Sequence, residues 1–110
     1  MGRTAGYRID HILPEFAQEL KILLLASKEP LLAAQLPDLV IARRCSCEDN
    51  FCATFYTEYE PSTRPFQNAY SLELEPKEGM IILDVVCSRI AVVEVLYRDD
   101  VRRFLRTNFP

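Results

Sequence analysis

His11 is the only histidine in this chain. That excludes a paired-histidine zinc motif and leaves the cysteines without an imidazole base near them in sequence. A phosphate loop, a dinucleotide fingerprint, a nucleophile elbow and a calcium loop are also missing. So is any excess of positive charge: the formal charge is −3, and the sequence pI of about 5.1 argues against general nucleic-acid binding, which needs a basic face. Long apolar runs are lacking too. The longest, Ile22 to Ala26 and Leu31 to Ala34, are separated by Glu29-Pro30, and neither approaches the roughly 20 residues of a membrane span. The first residues show no signal-peptide pattern, and Met-Gly without Ser or Thr at the sixth position does not support myristoylation. A cytoplasmic protein with reduced cysteines is the resulting expectation.

What is present suits one globular domain over residues 1–110. Hydrophobic residues make up 49% and charged residues 26%, which rules out a disordered chain, and no repeat or linker divides it. Pro14 can open a helix at the position where its missing N–H costs nothing. Phe16, Leu20, Leu23 and Leu24 then recur at helical spacing until Pro30, and Leu31 to Leu36 suit a second short helix. Strands are predicted over Leu39 to Cys47, Cys52 to Glu58, Ala69 to Leu74, Met80 to Val86 and Arg89 to Leu96. Tyr59 to Gln67, with two prolines, is predicted to be a loop. Asp99 suits the N-cap of a last helix that buries Val101, Phe104 and Leu105. Short connections make this an α+β fold: N-terminal helices, an antiparallel meander of about five strands, then a C-terminal helix.

If Cys87-Ser88 is a two-residue turn, Val86 pairs with Arg89, Asp84 with Ala91, Ile82 with Val93 and Ile81 with Glu94. Both faces of that hairpin are then apolar, with Val93 and Val95 on one and Val92 on the other. Such a hairpin is covered by helices on both sides, or one side meets another chain as a homodimer. The same register separates Asp84 and Glu94 onto opposite faces, against an acid–base pair.

Cys45, Cys47 and Cys52 surround the acidic turn Glu48-Asp49-Asn50. A turn centred on Asp49-Asn50 sets Cys47 opposite Cys52 and Cys45 on the same face, so three sulfurs converge. Four readings follow: small hydrophobes packed under a helix, a Cys47–Cys52 disulfide, a zinc site or a reactive thiolate. A fourth zinc ligand would come from Cys87 or His11. Arg102, Arg103 and Arg106 are expected on the solvent side of the last helix. The acids mixed with aromatics form a second candidate surface, a partner-binding patch of Glu48, Asp49, Asn50, Tyr56, Glu58, Tyr59 and Glu60.

The segment from Arg44 to Tyr56, followed by Gly79 to Arg98, resembles a pattern in small bacterial single-domain proteins of unknown function. Its elements are a C-x-C, an acidic turn, a third cysteine and a C-terminal apolar hairpin. The resemblance implies an antiparallel sheet and no established activity. It also implies an Asp-Gly type turn where this chain has Cys87-Ser88.

The first expectation is therefore a small non-catalytic protein-binding protein. Its most concrete form is a bacterial immunity or antitoxin-like protein that blocks a basic toxin, with no nucleic acid, membrane or cofactor involved. The alternative is a zinc-stabilised domain built on Cys45, Cys47 and Cys52.

Overall fold

A computed structural model describes residues 7–57 and 69–109. Glu58, Tyr59 and Glu60 lie outside the described residues, as does the whole loop expected over Tyr59 to Gln67. The chain runs α1 (Ile9–Ile12), α2 (Pro14–Ala26), α3 (Pro30–Ala33) and a 3₁₀ turn (Leu36–Asp38), then β1 (Ile41–Arg44), β2 (Phe55–Thr57), β3 (Ala69–Leu74), β4 (Met80–Val86) and β5 (Arg89–Leu96), and closes with α4 (Asp99–Asn108). This is the expected α+β fold.

Pro14 opens α2. The helix stops before Pro30 because Lys28 turns left-handed, at φ 62°. Its N–H then reaches the Leu25 carbonyl (3.0 Å) and the Glu29 N–H reaches Leu24 (2.9 Å), which satisfies the last carbonyls. Asp99, expected as the N-cap of α4, is instead its first residue. Arg98 holds the cap position without a side-chain capping bond.

All five strands pair antiparallel in the order β1-β2-β5-β4-β3. β3, β4 and β5 follow one another as a meander. β2 pairs with β5 rather than β3, so β2 to β5 have the strand order of a Greek key. β1 and β2 are shorter than the predicted strands Leu39 to Cys47 and Cys52 to Glu58, because residues 45–54 leave the regular ladder.

The hairpin of β4 and β5 corrects the expected register. Val86 does face Arg89 and Val85 faces Ile90, but Asp84 then faces Val92, Ile82 faces Glu94 and Ile81 faces Val95. Ala91 is the extra residue of a β-bulge. One extra residue reverses the faces of everything beyond it. Val93 and Val95 therefore join Ile81, Leu83, Val85 and Ile90 in the core, together with Phe16, Leu20 and Leu24 of α2 and Val101 and Leu105 of α4. Val92, Glu94, Ile82 and Asp84 share the other, half-buried face. The hairpin is thus apolar on one face and mixed on the other, and Asp84 and Glu94 lie together rather than apart.

Side chains support the bulge. The Thr57 hydroxyl lies 2.9 Å from the Ile90 carbonyl and 3.2 Å from that of Ala91, and it can donate to either. The Gln35 amide donates to the Ser88 carbonyl (2.6 Å) and accepts from the Ile90 N–H (3.0 Å). Between them Cys87 and Ser88 both sit left-handed, at φ 52° and 68°. That turn favours Asn-Gly.

Arg98 joins the sheet to the helices. It is 8% exposed and grips both carboxylate oxygens of Glu19 on α2 at 2.8 and 2.9 Å. It also reaches Asp100 (3.3 Å) and the Glu78 carbonyl (3.4 Å), and its guanidinium lies 5.6 Å from the Phe16 ring centroid. Gly79, at φ 73°, passes beneath it. A Cβ there would lie 2.5 Å from the Leu96 carbonyl oxygen and 2.8 Å from Arg98 Cγ, so no other residue fits without movement.

Arg98→Met should lower unfolding free energy by about 2–3 kcal/mol in chemical denaturation, because it strands the half-buried Glu19 carboxylate. The double change Cys87→Asn, Ser88→Gly should raise it by about 1 kcal/mol by relieving two left-handed non-glycine residues.

Candidate functional site

The mixed face of the sheet carries the chemistry. Tyr56 pairs with Val92, and Cys52 pairs with Leu96 in an isolated bridge. Alternation then places Cys52, Tyr56, Val92, Glu94 and Leu96 on the side away from the main core. β1 delivers Cys45 to the same side, where its N–H donates to the Thr54 carbonyl at 2.9 Å. The chain loops out through Cys47, Glu48, Asp49 and Asn50 and returns at Cys52, whose N–H approaches the Asp49 carbonyl at 3.5 Å.

The sulfurs of Cys45, Cys47 and Cys52 all lie within 4.8 Å of one another. Cys52 is buried, while Cys45 and Cys47 are half-buried and all three are free thiols. Of the three, only Cys52 is buried as a packed hydrophobe would be. Among the described residues neither Cys87, exposed at the far hairpin tip, nor His11, beside Arg8, joins the cluster.

Hydrogen bonds organise the three sulfurs around Cys52. Burial opposes ionisation of this thiol. The Thr54 N–H and hydroxyl and the Cys47 and Cys45 thiols nevertheless donate to it and hold it below the ordinary thiol value. The Thr54 hydroxyl accepts from the Val95 N–H at 3.2 Å, which leaves its hydrogen directed to sulfur. The Asp49 N–H favours a Cys47 thiolate, but the bond to Cys52, partial burial and the Cys45 thiol together push Cys47 up to about 11. The cluster can therefore hold one negative charge on the inner sulfur, shared through hydrogen bonds.

Arginines fix the loop from outside. Arg106 of α4 donates to the carbonyls of Asp49 (3.0 Å) and Cys47 (3.4 Å). Arg44 donates to the carbonyls of Cys45 (2.9 Å) and Phe109. Arg106, expected on the solvent side of α4, is half-buried against this loop. Arg43 lies 4.0 Å over the Tyr56 ring. Burial, and then the neighbouring Cys45, raise the Tyr56 phenol above its usual value.

Of the expected partner-binding residues, Glu48, Asp49 and Asn50 are exposed at the loop tip, and Tyr56 lies beside the sulfurs. The sequence reading does not mark Thr54, and it places Arg106 only on the solvated face of the last helix. Thr54 lies two residues after Cys52, at the spacing that shares a strand face, which is a signal of sorts. Arg106 lies 57 residues from Asp49, and no local pattern marks that contact.

On the same face Glu94 and Asp84 form a carboxylate pair. Burial first, then a hydrogen bond and repulsion from Asp84, push Glu94 up to about 7. The Ser71 hydroxyl donates to Asp84 at 2.9 Å.

No protein-family model matches the chain, and no curated protein or solved structure is significantly similar to it. Its function is therefore read from its own geometry.

Because Glu94 holds its proton more tightly folded than unfolded, stability should fall as pH rises from about 4.5 through about 7 and level off above that. Glu94→Gln should flatten that decline in denaturation measured across pH. It should be nearly neutral at pH 4 and stabilising by roughly 1–2 kcal/mol at pH 8, discounted for the water that still reaches the pair.

Proposed function

We propose that Cys45, Cys47 and Cys52 bind one thiophilic metal ion, zinc first among them, and that the ion staples the 45–52 loop of a non-catalytic domain. The observation that carries this reading is the convergence of three sulfurs within 4.8 Å. Sulfurs around tetrahedral zinc stand ~3.8 Å apart, from Zn–S bonds of about 2.3 Å. A contraction of about 1 Å suffices, and half-buried Cys45 and Cys47 have room for it. Three thiolates leave one position for water or for a group from outside the cluster. Thiolate ligands select zinc or copper(I) over magnesium or calcium.

The ion would have a structural role. The loop has little regular hydrogen bonding and holds Glu48, Asp49 and Asn50 exposed at its tip. Ordering it before an encounter lowers the entropy cost of docking. That supports the wider reading as a protein-binding domain. An immunity or antitoxin-like protein acting on a basic toxin is its most specific form, and co-purification with such a toxin tests that form.

Native mass spectrometry of protein made without chelator should show the chain plus one zinc. Cys45→Ser, Cys47→Ser and Cys52→Ser should each weaken binding roughly 100-fold or more, and Cys87→Ser should leave it unchanged. A chain at apo mass that takes up no added zinc overturns the proposal, as does one two daltons lighter through a disulfide.

A further inference from the structure

Beyond the thiol cluster lies a second exposed feature. Phe51 and Tyr97 stack with ring centroids 5.2 Å apart at 28°, yet they are 39% and 62% exposed. The Tyr97 N–H donates to the Phe51 carbonyl at 2.8 Å, so β5 pins the loop that carries Phe51. Tyr97 adopts φ 62°, a left-handed conformation that bulky residues rarely hold. The ring pair is therefore presented to solvent by a fixed backbone.

Beside the rings is a cavity of about 640 Å³, lined by Asn50, Phe51, Glu78, Tyr97, Arg98, Asp99 and Asp100. Arg98 is committed to Glu19 and Asp100. Asp99 and Asp100 complement the N-terminus of α4, but that helix end supplies only about half a positive charge. Four carboxylates, those of Glu19, Glu78, Asp99 and Asp100, stand against one guanidinium and that half charge. The cavity is negative, with an aromatic wall. Arg102 and Arg103 stand one turn further along α4 and do not line it.

We propose that the Phe51–Tyr97 wall and the Glu78–Asp99–Asp100 rim dock a basic segment of a partner protein, taking a lysine or arginine side chain against the rings. Cations favour the faces of aromatic rings, by about 1 kcal/mol at exposed sites, and the carboxylates steer them there. Two rigid rings supply contact area at little cost in entropy. The inference rests on the protein-binding reading above and names its surface. It uses none of the three sulfurs.

The test is an NMR titration of the isotope-labelled chain with a nine-residue lysine–alanine peptide, with its glutamate counterpart as control. Shifts should concentrate at Asn50, Phe51, Glu78, Tyr97 and Asp99. Tyr97→Asn, which suits the left-handed backbone, should weaken binding about fivefold without lowering thermal stability. Glu78→Gln with Asp99→Asn should weaken it further. Shifts spread over the whole acidic surface, equal binding by Tyr97→Asn or no binding at all would overturn the proposal. If a basic partner binds through another face, the protein-binding role stands and this surface falls.

Discussion

One unpaired residue, Ala91, decides which side chains of this protein meet the helices and which meet the outside. Without the bulge, β5 would send Val92 inward and Val93 and Val95 outward, and the hairpin would carry apolar side chains on both faces. With it, Val93 and Val95 enter the core, and Glu94 comes to lie on the same side as Asp84. Each buried valine is worth about 2 kcal/mol, so the core strongly favours the bulged register. Thr57 and Gln35 satisfy backbone groups beside the bulge and the turn, and so remove much of its cost.

The same constraint builds the candidate site. Cys52 pairs with Leu96, so its sulfur lies on the face where β5 places Glu94 and Val92. Thr54 then bonds to the Val95 N–H and to the Cys52 sulfur, tying the inner thiol to the central strand. The outer thiols depend on α4, because Arg106 holds the carbonyls of Cys47 and Asp49. Arg98 in turn fixes where α4 begins relative to α2. Core register, helix anchoring and loop geometry are one connected set of contacts, and the sulfurs meet where it ends.

Local patterns carried much of this. Alternation and turn chemistry marked β3, β4 and β5 to the residue, and Pro14 and Pro30 bounded α2. The expected register, with Cys47 opposite Cys52, anticipated the meeting of the sulfurs, although residues 45–54 leave the regular ladder and Cys52 bridges to Leu96 instead. The bulge was not legible, because Ala91 carries no mark: its position is chosen by the fit of several valines against helices far along the chain. Arg98 and Arg106 were hidden for a similar reason. A string of arginines near α4 reads as a solvated face, and only the fold shows two of them directed at Glu19 and at the cysteine loop. Tyr97 likewise carries no mark in sequence, one residue past β5, and its left-handed backbone sets the ring beside Phe51.

The central claim is that three sulfurs on one sheet face form a single metal centre. X-ray absorption at the zinc edge tests it most directly, on the chain loaded with one equivalent. A first shell of three sulfurs at about 2.3 Å and one lighter atom is the predicted result. A shell of nitrogen and oxygen alone would contradict it.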